Sequence, residues 1–144
     1  TVVRQIAFHE FERKVHDERK QGELSEERLS EIWMGVQTES LGPAFHFDDD
    51  YKIYWSYISH FLHVPFYVYA YAFGDCLVNA LYNAYDTGAV PDFQAKYIDM
   101  LAAGGRLRHK ELLKPFGLDA TDPGFWARGM KMLEGFIDQL EKME

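Results

Sequence analysis

The chain has 144 residues, 47% of them hydrophobic and 16% aromatic, so it can bury one sizeable core and is most simply a single domain spanning 1–144. Its formal charge of −8 and its lack of a basic run argue against nucleic acid and anionic membranes as partners. A lone cysteine, Cys76, excludes an intrachain disulfide and favours a reducing compartment, the cytoplasm.

The most hydrophobic region is interrupted by polar residues before it reaches the roughly 20 apolar residues of a membrane-spanning helix. The chain also begins inside a helical pattern, without a methionine or a cationic leader. This start is what we expect of a piece of a longer protein.

The first predicted helix is amphipathic, runs from about Val2 to Lys20 and ends before Gly22. Its apolar face consists of Val3, Ile6, Ala7, Phe8, Phe11 and Val15. His9 is followed by a glutamate, but position 13 is arginine, so the zinc-peptidase motif HExxH is absent here. His16 lies two turns from His9, too far to share a metal, and both histidines are predicted on the solvated face.

Ser25 is the predicted N-cap of a second helix that ends at Leu41-Gly42-Pro43. Its buried residues are predicted to be Leu29, Ile32, Trp33 and Val36. The following loop contains Asp48 to Asp50, which lack the spacing and the late glutamate of a calcium loop and are interpreted as a solvated, helix-capping run. A short helix is predicted from about Tyr51 to Ser56.

The central element is the aromatic stretch from Ser59 to Tyr85, with Pro65 near the start of its helix. From Phe66 onward, apolar residues recur at three- and four-residue steps on one face: Tyr69, Ala72, Phe73, Cys76, Leu77, Ala80, Leu81 and Ala84. The opposite face carries Tyr67, Tyr71, Gly74 and Val78, so the helix is predicted to be covered nearly all round. Such an aromatic stripe is usually plain core, but its phenols and imidazoles indicate either an internal polar network or a cleft lined by hydrogen-bond donors.

Three further helices follow. One is predicted from Pro91-Asp92 to Gly104-Gly105, a short one at about Lys110 to Pro115, and a final one capped by Asp122 with Pro123 as its first residue. The final stripe comprises Trp126, Met130, Leu133, Phe136, Ile137, Leu140 and Met143. The fold class is therefore predicted as all-α, an irregular domain of about six helices around the central tyrosine-rich helix.

The amino-acid sequence of the central stretch resembles that of a known family. His60-Phe61, followed by Phe66 to Ala72 and then Gly74, is similar to the HFYxxFYVYxYATG signature near the carboxyl end of oligoendopeptidase F, a helical zinc metallopeptidase related to thimet oligopeptidase. Arg4 to Glu12 resembles its RQxxFxxFE segment, and Glu111 to Asp119 resembles its ELLKxxGxD segment. Leu62 and Phe73 depart from the pattern, where a tyrosine and a small residue are usual.

The resemblance implies the carboxyl-terminal part of an intracellular zinc endopeptidase that hydrolyses short, unstructured peptides. In that family the zinc ligands lie amino-terminal to this region, so the chain would contribute one wall of the substrate channel and no metal ligand. The implied catalytic residues are His60, Tyr67 and Tyr69, as donors to the oxyanion formed at the scissile carbonyl. Tyr71 and His63 are the implied substrate-binding residues. The implied partners are peptide substrates and the missing amino-terminal part of the peptidase, and the chain alone is expected to be inactive.

Helical spacing bears on this assignment. If one helix includes His60, then Tyr67 and Tyr71 share its face, whereas Tyr69 points about 160° away from Tyr71. A break at Pro65 would reset that register. The alternative function is a non-catalytic helical module that binds peptides or a partner protein through the same aromatic cleft. Peptide preference and oligomeric state stay open at this point.

Overall fold

The structure, a computed structural model, describes residues 1–143. Within them the chain is helical and contains no strand, which confirms the predicted all-α class. The helices are α1 (Val2–Arg19), α2 (Glu26–Leu41), α3 (Ser59–His63), α4 (Tyr69–Asp86), α5 (Phe93–Ala103), α6 (His109–Leu113) and α7 (Pro123–Glu141). Short 3₁₀ helices lie at Gly42–Ala44, Asp49–Tyr57, Gly104–Arg106 and Lys114–Phe116. No helix among these residues is long and apolar enough to cross a membrane.

The chain forms two compact units, the first from Thr1 to Phe73 and the second beginning at Gly74. The boundary lies inside α4, whose first turn belongs to the first unit. Whether the two units behave as the single domain predicted from length stays a prediction.

An aromatic core holds the first unit together, and Trp33 lies at its centre. The Trp33 side chain is fully buried, with its ring centroid 5.5 Å from that of Phe8 and 5.3 Å from that of Phe11. Ile32 and Val36 are also buried, as predicted for α2, whereas Leu29 is only partly buried. Ser25 caps α2 as predicted, because its hydroxyl accepts a hydrogen bond from the Arg28 amide.

The 3₁₀ helix Asp49–Tyr57 is attached to α2 by two indole hydrogen bonds. The Trp33 Nε1–H donates to the Tyr51 carbonyl oxygen over 3.0 Å, and the Trp55 Nε1–H donates to the Ser30 hydroxyl over 3.3 Å. The predicted short helix is therefore present as a 3₁₀ helix. Asp48 occupies its N-cap position, but the Asp48 side chain makes no capping hydrogen bond, so the predicted capping role is wrong for that residue.

The central aromatic stretch contains two helices. α3 ends at His63 and α4 begins at Tyr69, so Pro65 lies between them and not at the start of a helix. Proline disfavours a helical backbone in the residue before it, and Val64 accordingly leaves the helical region at φ −141° and ψ 63°. Phe66 adopts φ +60°, a left-handed conformation that is rare for a bulky side chain.

One face of α4 is buried and the other is exposed. Ala72, Cys76, Ala80, Leu81 and Ala84 are buried, as the apolar stripe predicts. The tyrosines of this region and Val78 are 39% to 62% exposed: Tyr67, Tyr69, Tyr71, Tyr82 and Tyr85. The prediction of a tyrosine-rich helix covered nearly all round is therefore wrong for this chain by itself, because its residues cover only the small-residue face.

The second unit has its own core. Ala80 and Leu81 of α4 pack with Leu113, Phe116, Leu118 and Phe125. Asp122 caps α7 as predicted, since its carboxylate accepts a hydrogen bond from the Gly124 amide over 2.9 Å. The second half of the predicted α7 stripe is exposed, including Phe136, Ile137, Leu140 and Met143.

The contact between α4 and α7 requires a glycine. A Cβ atom on Gly129 would lie 3.1 Å from the Cys76 carbonyl oxygen and 3.2 Å from the Cys76 Cα. We expect Gly129→Leu to lower the free energy of unfolding of the chain by about 1 to 3 kcal/mol, because backbone atoms cannot move aside as a side chain can.

Gly135→Ala is the matched control in the same helix. No atom lies within 4 Å of its added Cβ, so replacing this helical glycine should raise the free energy of unfolding, by up to about 1 kcal/mol. Urea unfolding of both variants checks the pair. Equal stability of Gly129→Leu and the parent chain would show that α4 and α7 are not in close contact there.

Candidate active site

Three predicted site residues lie together in the first unit and form what we call the histidine–tyrosine cluster: His60, Tyr67 and Tyr71. The His60 Nε2 lies 2.8 Å from the Tyr71 hydroxyl oxygen, a hydrogen-bond distance. The ring centroid of Tyr67 is 6.4 Å from that of His60 and 5.6 Å from that of Tyr71. The one-helix premise for this grouping is wrong, because His60 belongs to α3 and Tyr71 to α4, yet the three side chains are neighbours.

Residues next to the cluster that pack in the core of the first unit fix both of its ends. Phe61 follows His60, and its ring lies 5.0 Å from that of Phe11 and 5.6 Å from that of Phe8 in the aromatic core. Val68 follows Tyr67 and is fully buried. Because Phe61 is partly buried against the aromatic core and Val68 is fully buried, the core sets the direction in which His60 and Tyr67 point.

The turn between the two helices is held by a buried carboxylate. Glu12 of α1 is only 2% exposed, and its Oε1 accepts a hydrogen bond from the Phe66 amide over 2.8 Å. The left-handed backbone of Phe66 costs roughly 1 to 2 kcal/mol. The hydrogen bond from the Phe66 amide to Glu12, worth roughly 0.5 to 1.5 kcal/mol net, offsets part of that strain.

Tyr69 lies apart from the cluster. Its ring centroid is 6.1 Å from that of His9, and its side chain is 52% exposed. His9 was expected on the solvated face of α1, but it is partly buried, and its Nδ1 is buried without a hydrogen-bond partner among the described residues. That expectation is wrong because the segment after Pro65 packs against this side of α1.

The two other histidines of interest are both exposed. His16 lies against the turn, with its ring centroid 4.5 Å from that of Phe66. His63 is the last residue of α3 and makes no hydrogen bond with the histidine–tyrosine cluster within residues 1–143. The His63 side chain is therefore free to interact with groups outside the cluster.

The hydrogen bond between His60 and Tyr71 leaves one donor free in either tautomer. If the Tyr71 hydroxyl donates to Nε2, the His60 proton is on Nδ1 and can be donated elsewhere. If Nε2–H donates to Tyr71, the phenol O–H can be donated elsewhere. The exposed phenol of Tyr67 supplies a second donor on the same side. The cluster can thus offer two donors to an oxygen atom that becomes negatively charged.

The residues that the structure describes do not form a metal site. Within residues 1–143 there is no group of three or more His, Cys, Asp and Glu side chains that could hold a metal ion. His60 is hydrogen-bonded to a phenol, and no carboxylate of the described residues shares its hydrogen bond. The cluster therefore has the chemistry of a hydrogen-bond donor site and not of a metal centre.

Cavities do not identify the site. A surface cavity of about 650 Å³ is lined by residues of α1, α2 and the loop around Phe47, and one of about 470 Å³ lies against α4 and α5 in the second unit. Neither is lined by His60, Tyr67 or Tyr71. The hydrogen-bond donors of His60, Tyr67 and Tyr71 identify the candidate site. An open groove does not by itself indicate a binding site in a chain with much exposed apolar surface.

Sequence reasoning missed the role of Glu12. It follows Phe8 by four residues and precedes Val15 by three, so helical spacing puts this acid on the buried face of α1. A carboxylate on a buried face needs a hydrogen-bond partner, so the sequence could have indicated a structural role for Glu12. The sequence could not identify the partner, because the Phe66 amide is 54 residues away along the chain.

The family model and the related proteins that match this chain indicate the same family. The sequence model described as peptidase family M3 matches residues 1–132. Oligopeptidase PepF of Bacillus subtilis (strain 168) is 33% identical over 144 residues, which are 99% of this chain and 21% of that protein. The plasmid oligoendopeptidase F of Lactococcus lactis subsp. cremoris is 29% identical, and group B oligopeptidase PepB of Streptococcus agalactiae is 26% identical, each over 99% of this chain and 24% of the relative. No solved structure matches the chain. The chain thus spans about a fifth to a quarter of the length of these relatives.

Proposed function

The chain belongs to peptidase family M3, and we propose that it is part of an oligoendopeptidase that hydrolyses short, unstructured peptides. The named oligopeptidases and oligoendopeptidases among its relatives support this activity. Within that enzyme the chain would supply one wall of the substrate channel and the groups that stabilise the transition state.

The hydrogen bond between His60 and Tyr71 is the observation that carries the proposal. Attack on a peptide carbonyl converts its neutral oxygen into an oxyanion, and fixed donors aimed at that oxygen lower the barrier more than they strengthen substrate binding. Because the Tyr71 hydroxyl occupies one nitrogen of His60, the imidazole keeps one orientation, and the pair retains one donor for the oxyanion.

The roles then divide as follows. His60 and Tyr67 are the proposed oxyanion donors, and Tyr71 orients His60 as well as lining the substrate side. Tyr69 remains a candidate donor, with weaker support, because its ring lies beside His9 and not in the cluster. His63, exposed at the end of α3, is proposed to face the substrate.

The family implies zinc, which supplies an activated water for peptide hydrolysis when bound. Since the described residues offer no metal site, any zinc would be held by other parts of the longer protein. We therefore expect the 144-residue chain by itself to bind zinc weakly or not at all, and to be inactive. Metal analysis after chelation and zinc reloading checks this, and tight, stoichiometric zinc would contradict it.

The activity itself can be tested in the full-length protein. We expect it to cleave an internally quenched peptide of about ten residues, to leave a folded protein intact, and to lose activity on chelation and regain it with zinc. Binding of the peptide without cleavage would favour the non-catalytic alternative, for which the exposed aromatic face of α4 is the supporting observation. Neither binding nor cleavage would contradict both functions.

We also propose that the protein is cytoplasmic. The supporting observation is that its one cysteine, Cys76, is 3% exposed and has no partner sulfur within the chain. Burial raises the pKa of the Cys76 thiol, and the neighbouring Asp75 carboxylate raises it further. A thiol of this kind is a packing residue and needs no oxidising compartment.

A further inference from the structure

We propose that Glu12 is a positioning residue for the peptidase reaction: its buried carboxylate fixes the turn from Pro65 to Val68 and thereby holds Tyr67 against His60. The inference rests on the proposed function, because it concerns how the donor cluster is kept in place.

The burial of Glu12 has no ion pair to explain it. No Lys or Arg of residues 1–143 lies within ion-pair distance of its carboxylate, and Oε2 is buried without a hydrogen-bond partner among these residues. The hydrogen bond from the Phe66 amide to Oε1 is its contact with the turn. An apolar side chain would fill this place at lower cost, so the hydrogen bond to the turn is what the carboxylate adds.

Glu12 holds Phe66, the strained residue of the turn. Phe66 is one of two non-glycine residues with positive φ among the described residues, and the other, Asp92, lies in the second unit. The ring of Phe66 also lies against His16, one helical turn after Glu12 on α1. α1 therefore holds Phe66 by its backbone amide and by its side chain.

This arrangement fixes the position of Tyr67. Phe66 is fixed on its amino-terminal side by α1, and Val68 is fully buried on its carboxyl-terminal side. The Tyr67 backbone between them has little freedom, so its half-exposed ring stays 6.4 Å from His60 and 5.6 Å from Tyr71. Without the carboxylate, Phe66 would relax toward negative φ and turn Tyr67 away from the cluster.

The test compares Glu12→Ala with Glu12→Gln in the full-length protein. Alanine removes the acceptor, and kcat on a quenched peptide should fall roughly tenfold to a hundredfold, with a much smaller change in KM, because misplaced catalytic groups slow the chemical step. Glutamine keeps a carbonyl oxygen that can accept from the Phe66 amide, so Glu12→Gln should retain most of the activity. Glu10→Ala, which removes an exposed carboxylate from the same helix, is the matched control and should leave kcat unchanged.

A second-site change separates positioning from folding. Glycine adopts positive φ without strain, so Phe66→Gly added to Glu12→Ala should recover part of the lost kcat. Hydrogen exchange gives a readout that needs no activity: Glu12→Ala should speed exchange in the peptide spanning 64–68 and leave the peptide around Trp33 unchanged.

The outcomes are distinct. Wild-type kcat in Glu12→Ala overturns the proposal, as does a glutamine variant as slow as the alanine variant or unchanged exchange at 64–68. If Glu12→Ala does not fold, Glu12→Gln decides: it should keep nearly the wild-type kcat and the wild-type exchange at 64–68, and a loss of about tenfold or more in kcat overturns the proposal. If the wild-type protein cleaves no peptide, the proposed function fails, and exchange at 64–68 alone decides whether Glu12 fixes the turn.

Discussion

Removing one donor of the histidine–tyrosine cluster from the full-length protein is expected to lower kcat on the order of 10² to 10³, about 3 to 4 kcal/mol, with little change in substrate binding. His60→Ala and Tyr67→Phe should show this full loss. The reason is that the proposed donors would interact with an oxyanion that forms only as the reaction proceeds. Steady-state kinetics on a quenched peptide, with the melting temperature measured in parallel, checks it.

The other tyrosines rank below these two. Tyr71→Phe removes the hydroxyl that lies 2.8 Å from His60, so it should lower kcat by misorienting the imidazole. Tyr69→Phe should have a smaller effect, because Tyr69 lies outside the cluster.

Tyr97→Phe on α5 in the second unit is the control for loss of a phenol. This variant should keep its turnover and lose at most roughly 1 kcal/mol of stability. If His60→Ala, Tyr67→Phe, Tyr69→Phe and Tyr71→Phe all lose less than about fivefold in kcat, this segment is scaffold and the donors lie elsewhere.

Trp33→Ala is expected to be the most damaging change to the stability of the chain, lowering the free energy of unfolding by about 3 to 5 kcal/mol. Its indole is fully buried, lies between Phe8 and Phe11, and donates a hydrogen bond to the Tyr51 carbonyl. Alanine would leave a cavity and remove the indole hydrogen bond to the Tyr51 carbonyl, in the core that orients His60 through Phe61.

Urea unfolding followed by circular dichroism measures this loss. Tyr57→Ala, a tyrosine that is 76% exposed, is the matched aromatic control and should change stability by no more than about 0.5 kcal/mol. Trp33→Phe should fall between the two, because it keeps a ring and loses the donor. A loss below about 1 kcal/mol for Trp33→Ala would mean that the first unit does not depend on this core.

Local signals in the sequence account for most helix boundaries. Ser25 and Asp122 were predicted as N-caps and both accept the expected amide hydrogen bonds. The first helix was predicted to end at Lys20 and ends at Arg19, and the family resemblance is confirmed by the match to residues 1–132. These features depend on interactions within a few residues, which periodicity and capping rules describe well.

Contacts between distant residues were beyond local reasoning. Pro65 was expected near the start of the central helix, where a missing amide donor does least harm, but it lies in a break where the Phe66 amide donates to Glu12 of α1. The pairing of His60 with Tyr71 is a consequence of that break. The exposure of the tyrosine face was also missed, because a helical period shows which residues share a face and not whether this chain covers it.

A transition-state analogue tests the central claim, donation to the oxyanion by the histidine–tyrosine cluster, most directly. A phosphinic peptide carries a tetrahedral group with a negative oxygen in place of the scissile carbonyl, so its Ki reports binding of the oxyanion. We predict that His60→Ala raises this Ki by about the same factor as it lowers kcat/KM, while the Kd of a product peptide changes little. An unchanged Ki in His60→Ala would contradict the account, because it would show that this side chain makes no contact that depends on the charge of that oxygen.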